Sequence, residues 1–174
     1  CVPTGNFGDI LAGYYAKQMG LPVGRLVCAS NKNNVLTDFL RTGTYDARRT
    51  FYKTTSPSMD ILISSNLERL LYHVSGSSEK VAGWMQELSA TGKYTVDAET
   101  LAKIQQSFAA GYADDADGAA EIKARFDGDH YLCDTHTAVA FHVAAQHKRD
   151  GVPMVVLSTA SPFKFPRSVL EALG

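Results

Sequence analysis

The stretch that decides the fold is Val2–Gly13, with the sequence VPTGNFGDILAG. It predicts the end of a strand, a glycine-punctuated turn and the start of a helix. Free backbone N–H groups and the positive end of the helix dipole then point at one spot, which suits a phosphate group. Gly5 and Gly8 are expected to let the backbone curl and approach the anion without a Cβ atom in the way.

A G-x-x-G turn is also compatible with an ordinary strand-to-helix connection. Two other phosphate loops are excluded by the sequence. It contains no G-x-x-x-x-G-K-[ST], so a P-loop lysine and its magnesium ligand are missing. It also contains no G-x-G-x-x-G, and we therefore do not expect the pyrophosphate of a dinucleotide at this turn.

The composition fits a cytoplasmic protein with one packed core. A net charge of -1 over 174 residues gives no reason to expect nucleic acid or an anionic membrane surface as a partner. No apolar run approaches the length of a membrane span. The three cysteines form no C-x-x-C pair, which argues against a disulfide framework and against zinc. We expect Cys28 and Cys133 to be buried apolar side chains and predict no metal site.

Short strands alternating with helices predict an α/β fold, a three-layer open sheet with helices on both faces. The expected strand 25–29 runs parallel to Val2–Pro3, and a helix is expected over 35–41. The apolar run 152–157 predicts a strand covered on both faces. Polar residues follow the expected strands 25–29 and 152–157. In open α/β sheets, ligands bind at the carboxyl ends of the strands.

The middle of the chain is expected to be helical, because apolar residues recur there at helical spacing. Asp97 is an expected N-cap, the acidic cluster that begins at Asp114 suits a helix start, and Asp134 is expected to cap a helix that contains His136. Three apolar stripes follow this spacing: Ile63, Leu67, Leu70, Leu71 and Val74; Val81, Trp84, Met85 and Leu88; and Leu101, Ile104 and Phe108.

The stretch Val2–Asp9 closely resembles the loop that holds the phosphate of pyridoxal 5′-phosphate in threonine synthases. Its Asn-Phe-Gly-Asp form is that of the microbial and fungal branch. Further similar stretches follow in the family's order and bring the resemblance to nearly the whole chain. They are SPSMDI at 56–61, SSNLERLL at 64–71, DTHTAV at 134–139 and STASPFKF at 158–165.

The resemblance implies a tryptophan-synthase-β-like fold (fold type II of the pyridoxal-phosphate enzymes) and a set of site residues. The cofactor phosphate is expected at Gly5, Asn6, Phe7, Gly8 and Asp9. Thr159 is expected to face the pyridine nitrogen. Weaker candidates for the substrate side are Asn31, Ser65, Asn66 and Arg69, although a solvated helix charge is the preferred interpretation of Arg69. His136 is interpreted as structural rather than as a general base, and Thr135 stands where the family has proline.

The resemblance also implies that the cofactor lysine lies upstream, since family members are longer. We therefore expect residues 1–174 to form the C-terminal part of the large pyridoxal-phosphate domain, with no catalytic residue of their own. The implied partner is the N-terminal portion of the same enzyme, and the implied reaction converts O-phospho-L-homoserine and water to L-threonine and phosphate. Two alternatives stay open: a lyase on the same scaffold that releases a keto acid, and a non-catalytic domain.

Overall fold

Helices and short strands alternate along the chain. The computed structural model describes all 174 residues, Cys1–Gly174. The helices are α1 (Gly8–Gln18), α2 (Val35–Thr42), α3 (Leu67–Ser75), α4 (Ser78–Thr91), α5 (Ala98–Ser107), α6 (Asp115–Asp129), α7 (Thr135–Ala145) and α8 (Pro166–Leu173). The strands are β1 (Val2–Pro3), β2 (Leu26–Ser30), β3 (Thr44–Asp46), β4 (Lys93–Thr95) and β5 (Phe108–Tyr112). Single turns of 3₁₀ helix cover Pro57–Met59 and Pro162–Lys164.

The central sheet is parallel and has the strand order β1-β2-β5. Its middle strand, β2, is buried along its whole length. Leu26 and Cys28 belong to the core shared with α1 and α2, whereas Val27 and Ala29 pack with α7 on the other side. Successive side chains of a strand point to opposite faces of the sheet. One face is therefore covered by α1 and α2 and the other by α7. The predicted three-layer α/β architecture and the parallel pairing of the first two strands are confirmed.

The third strand, β5, differs from the sequence prediction. Phe108 was expected on a helix, but α5 ends at Ser107 and Phe108 opens the strand. Its ring packs 5.7 Å from that of Phe7. The strand continues as Ala109-Ala110-Gly111, small residues with little β propensity. A Cβ atom on Gly111 would lie 2.8 Å from Cγ1 of Val143, so the close approach of α7 requires the glycine.

The helical middle of the chain is interrupted by a second, antiparallel sheet of β3 and β4. Tyr45 and Tyr94 face each other across it with stacked rings 5.4 Å apart. The three predicted apolar stripes contribute buried side chains on α3, α4 and α5, but Ile63 lies before α3 and is exposed. Three-residue strands are too short to leave a period-2 pattern in the sequence, which explains why they were not predicted.

The run 152–157 was expected to be a strand covered on both faces, and this prediction is wrong. The segment forms no strand of the sheet: Val152 makes an isolated bridge with Arg149, and the remaining pairing is with the first residue of the chain. The Cys1 backbone nitrogen donates to the Val155 carbonyl at 2.7 Å, and the Leu157 N–H donates to the Cys1 carbonyl at 3.0 Å. Val155 is 66% exposed. Apolar composition predicted burial, but no helix of the chain packs over the outer side of this segment.

The predicted helix caps are confirmed. Asp97, Asp114 and Asp134 each accept backbone N–H groups at the start of α5, α6 and α7. Cys28 and Cys133 are buried as predicted, and burial raises the pKa of both thiols to about 12. None of the helices has the length and apolar character needed to cross a membrane.

Candidate functional site

A cavity of about 280 Å³ opens where β1 ends and α1 begins. Segments from both ends of the chain and from its middle form its wall. The lining residues are Pro3, Thr4, Gly5, Asn6, Phe7, Gly8, Asp9, Ser58, Asn66, His136, Thr159, Ala160 and Lys164. The structure therefore brings the predicted phosphate loop together with Thr159, which lies 150 positions after Asp9 in the chain.

The turn into α1 is made by Phe7 rather than by a glycine. Phe7 precedes the helix with φ 64° and ψ 14°, a left-handed conformation that residues other than glycine seldom adopt. Its buried ring packs on Phe108 and holds it there. Gly5 and Gly8 do not have positive φ angles, so the predicted curl at the glycines is corrected to Phe7. No side chain caps α1, which leaves its first N–H groups directed at the cavity.

The two glycines of the loop have different roles. A Cβ atom on Gly5 would lie 2.9 Å from the carbonyl oxygen of Ser58 and 3.1 Å from the Cα atom of Met59. Gly5 is thus required by the close approach of two backbone segments. A Cβ atom on Gly8 would meet only the Nδ2 atom of Asn66, at 3.7 Å, which is an ordinary contact.

The segment before α3 supports the loop from outside. The Ser64 hydroxyl donates to the Gly5 carbonyl at 2.8 Å. The Asn66 backbone N–H and the Asn66 side-chain amide both donate to the Asn6 carbonyl, at 3.2 and 2.7 Å. The Ser65 hydroxyl lies 3.5 Å from the Asn6 side-chain oxygen. These hydrogen bonds restrict the backbone conformation of residues 5–6. Of the three, only Asn66 lines the cavity.

The other two predicted substrate residues lie outside the cavity wall. The Arg69 guanidinium donates to the Asn66 side-chain oxygen and borders a separate groove beside Tyr72. Asn31 is buried, and its amide group donates to Asp60 at 2.8 Å and to the Thr54 hydroxyl at 2.9 Å. The donor capacity of Asn31 is therefore satisfied within the protein. A substrate role for Asn31 or Arg69 stays a prediction.

Thr159 reaches the cavity from the extended segment that follows the pairing with Cys1. The preceding residue, Ser158, has its hydroxyl oxygen 3.2 Å from that of Thr137 and 3.3 Å from the phenol oxygen of Tyr131. Thr159 itself is exposed and makes no side-chain hydrogen bond to the rest of the chain. Its hydroxyl is available to a ligand.

His136 lies in the cavity wall with a defined protonation pattern. Its Nε2 atom is 3.1 Å from the backbone nitrogen of Ser58. A backbone N–H can only donate, so Nε2 accepts and the ring proton sits on Nδ1. Nδ1 lies 3.1 Å from the Asp134 carboxylate. Burial by itself would raise the pKa of Asp134, but hydrogen bonds from His136 and Thr137 outweigh it and lower that pKa to about 2.

Lys164 is a residue of the cavity wall that the sequence analysis did not single out. It ends the second 3₁₀ turn, its ammonium group lies 5.4 Å from the centre of the Phe165 ring, and it forms no salt bridge. Asp9 is the only carboxylate in the wall. Lys164 lies in the stretch STASPFKF, which also carries Thr159, and this shared stretch was the signal in the sequence that could have identified it.

Comparisons with known proteins give one family. Residues 137–174 match the model described as "Threonine synthase, C-terminal". The chain is 41% identical to Threonine synthase-like 1 of Homo sapiens, over 99% of this chain and 24% of that protein. It is 41% identical to the threonine synthase of Methylobacillus glycogenes, over 99% of this chain and 38% of that protein.

A solved structure agrees with the sequence comparisons. The threonine synthase of Brucella melitensis, whose crystal structure is described as bound to pyridoxal phosphate, superposes with a TM-score of 0.96 at 46% identity. The match covers 99% of this chain and 37% of that protein. The predicted resemblance and fold class are thereby confirmed. The chain spans 24% to 38% of the length of these relatives and corresponds to a C-terminal part of them.

Proposed function

We propose that this chain forms the C-terminal part of a threonine synthase, which uses pyridoxal phosphate to convert O-phospho-L-homoserine and water to L-threonine and phosphate. One observation carries the proposal. A single cavity joins an uncapped helix N-terminus on a glycine loop to a free hydroxyl on Thr159. Pyridoxal phosphate has a phosphate group at one end and a ring nitrogen at the other, so it needs both.

The residues present fit the cofactor. The backbone of Gly5–Asp9 supplies N–H groups and the helix dipole for the phosphate. The close packing of Gly5 on Ser58 keeps the loop shape that presents these groups. Lys164, in the same wall, adds a positive charge that complements an anion. A volume of about 280 Å³ is near the lower end of small-molecule pockets, which begin at about 300 Å³.

Thr159 would face the pyridine nitrogen. A hydroxyl can donate to a neutral ring nitrogen, whereas a carboxylate there would favour a protonated one. Pyridoxal phosphate supplies an electron sink for carbanions formed on an amino-acid substrate. The choice of hydroxyl or carboxylate at position 159 would therefore set how strong that sink is. We assign the lysine that exchanges protons with the substrate to the part of the protein outside this chain.

The substrate side is assigned to Asn66, with Ser65, Asn31 and Arg69 as weaker candidates. Asn66 is in the cavity wall, and its amide bridges the loop at Asn6. Arg69 holds the Asn66 side-chain oxygen, so it orients that amide. Ser65 and Asn31 do not line the cavity, so they would affect a bound substrate only through neighbouring residues.

The test is a product assay on the full-length protein. With pyridoxal phosphate and O-phospho-L-homoserine, we expect phosphate and L-threonine in equal amounts. Phosphate released with a 2-keto acid and ammonia instead of threonine would favour the alternative lyase. A protein that binds the cofactor but consumes no substrate would contradict both and favour a non-catalytic domain.

A further inference from the structure

Asp134 is a buried carboxylate that serves two segments of the cavity wall at once. The residue is 0% exposed and caps α7. Its Oδ1 atom accepts from the His136 backbone N–H at 2.8 Å and from the Thr137 backbone N–H at 3.2 Å, and it faces the His136 ring nitrogen at 3.1 Å. Its Oδ2 atom accepts from the Thr137 hydroxyl. A cap needs only the backbone contacts, so the side-chain contacts call for another explanation.

The first side-chain contact leads to the phosphate end of the cavity. The proton on His136 Nδ1 faces Asp134, so Nε2 is left to accept the Ser58 N–H at 3.1 Å. The carbonyl of the same Ser58 lies against Gly5. His136 is only 3% exposed, and its ring packs 4.8 Å from that of Phe165. The imidazole is therefore held in one orientation, and it holds the turn behind the loop.

The second side-chain contact leads to the opposite end. The Thr137 hydroxyl gives its single proton to Asp134, so its oxygen is free to accept from the Ser158 hydroxyl, 3.2 Å away. Ser158 immediately precedes Thr159, the residue assigned to the ring nitrogen. The contact helps to fix the position of this segment, together with the hydrogen bonds to Cys1 and the contact between Ser158 and Tyr131.

We propose that Asp134, through His136 and Thr137, positions the two ends of the cofactor cavity relative to each other: the Ser58 turn behind the phosphate loop and the segment that carries Thr159. His136 and Thr137 are positioning residues that act through Ser58 and Ser158. This proposal rests on the proposed function for the identity of the ligand, and it explains why two functional ends so distant in sequence keep one spacing.

A pair elsewhere in the chain provides a matched comparison. Asp97 caps α5, accepting from the Thr100 backbone N–H at 2.9 Å and from the Thr100 hydroxyl at 3.1 Å. No residue of α5 lines the cavity. The pair Asp97–Thr100 thus repeats the cap of Asp134–Thr137 without the contact to Ser158. Thr100→Val and Thr137→Val remove the same hydroxyl from the same helix position.

The first experiment compares these two variants in the full-length protein by titration with pyridoxal phosphate and by steady-state kinetics. Both variants lose the hydrogen bond between the hydroxyl and the capping aspartate, and Thr137→Val also loses the bond to Ser158, so its unfolding midpoint should fall further. Only Thr137→Val should weaken cofactor affinity, by about fivefold, and change the absorption spectrum of the bound cofactor. Equal cofactor affinity and equal spectra in Thr137→Val and Thr100→Val would overturn the assignment of Thr137.

The second experiment separates the acceptor on residue 136 from its volume. His136→Gln keeps an oxygen able to accept the Ser58 N–H, whereas His136→Phe keeps a ring but leaves that N–H without a partner. Near pH 8, we expect affinity for pyridoxal phosphate close to wild type in His136→Gln and about tenfold weaker in His136→Phe. Equal affinity of the Phe and Gln variants would overturn the role of His136.

Titration with inorganic phosphate separates this inference from the proposed reaction. If the wild-type protein forms no threonine but binds phosphate, and His136→Phe binds it more weakly than His136→Gln, the positioning role is supported while the reaction is contradicted. If the protein forms threonine and all variants bind phosphate and cofactor equally, the positioning role is overturned while the reaction is supported.

Discussion

The carbonyl oxygen of Ser58 lies so close to Gly5 that a Cβ atom at position 5 would meet it at 2.9 Å. Both partners are backbone, so neither can rotate away. We predict that Gly5→Ala weakens the affinity of the full-length protein for pyridoxal phosphate at least tenfold and destabilises the fold by about 1–3 kcal/mol. Cofactor titration and urea unfolding measure the two effects.

Gly8→Ala is the matched control. Position 8 begins α1, and an added Cβ atom meets only Asn66 at 3.7 Å. Alanine also favours the helix by up to about 1 kcal/mol relative to glycine. The unfolding midpoint of Gly8→Ala should therefore be unchanged or higher. If Gly5→Ala and Gly8→Ala had the same stability and the same cofactor affinity, the close approach at Gly5 would have no functional meaning.

Phe7 should prove more important than either glycine for the shape of the loop. Its left-handed backbone costs energy that the burial of its ring against Phe108 offsets. Phe7→Ala removes that burial and should destabilise the protein by about 3–5 kcal/mol. Met19→Ala, at the 87% exposed residue next to the other end of α1, should change stability by less than about 0.5 kcal/mol. Urea unfolding compares the two, and similar losses would contradict the packing argument.

The sequence was sufficient for the layered fold because β2 and α7 carry strong signals. β2 is a short apolar run, and Asp134 is a recognisable cap. β5 and the pair β3–β4 carried weak signals, since Ala-Ala-Gly lacks β propensity and three-residue strands lack a period. The strand prediction for residues 152–157 was wrong for the opposite reason. Its apolar composition predicted burial that depends on neighbours rather than on its own sequence.

The two ends of the site, the phosphate loop and Thr159, could be predicted from the sequence, but the contacts that hold them in place could not. Gly5–Asp9 and Thr159 came from motifs, and they do share one cavity. The left-handed conformation of Phe7 was not visible in the sequence, because no local rule places a phenylalanine there. The link from Asp134 to Ser58 joins positions 76 apart, so it exists only in the folded chain.

Asp134 should make a measurable contribution to acid stability. Its folded pKa of about 2 is below the ordinary value of about 3.9, so its contribution is fully present above about pH 4 and is lost as the pH falls towards 2. Asp134→Asn, which keeps a capping oxygen, should be less stable than wild type at pH 7 by about 2 kcal/mol. The gap should close between about pH 4 and about pH 2.

Asp97→Asn is the comparison for this effect. Its pKa is also lowered to about 2, by hydrogen bonds from Thr100 and Lys80, but its side chain is 39% exposed. Solvent screening should reduce its contribution well below that of Asp134. Unfolding free energies of the wild type, Asp134→Asn and Asp97→Asn, measured across the acid range, test this difference between the two carboxylates. A stability gap for Asp134→Asn that does not depend on pH would mean that the carboxylate charge is irrelevant.

Thr159→Asp tests the ring-nitrogen assignment directly. A carboxylate in place of the hydroxyl should favour a protonated pyridine nitrogen and a stronger electron sink, so that side products increase and threonine formation falls more than cofactor affinity does. Thr159→Ser keeps the hydroxyl and should retain most of the activity. The measurements are the absorption spectrum of the bound cofactor and the ratio of threonine to keto acid. Neither quantity should move in Thr159→Asp if another residue faces the nitrogen.

The last prediction is that residues 1–174, produced alone, are inert. The reaction needs a lysine amine held in the site, whereas Lys103 is exposed and the Lys17 amine donates to the Gly24 carbonyl at 2.7 Å. Lys164 is the one lysine of the cavity wall, and we assign it to anion binding rather than to covalent attachment of the cofactor. The segment should release no phosphate and form no threonine above a cofactor-only blank.

Borohydride reduction in the presence of pyridoxal phosphate locates any lysine that reacts with the cofactor. We expect no single labelled peptide from the segment, whereas the full-length protein should give one outside residues 1–174. Circular dichroism confirms that the segment is folded before the assay. Selective labelling of Lys164, abolished in Lys164→Arg together with turnover, would show that the chain carries its own catalytic lysine and would overturn the division of roles proposed above.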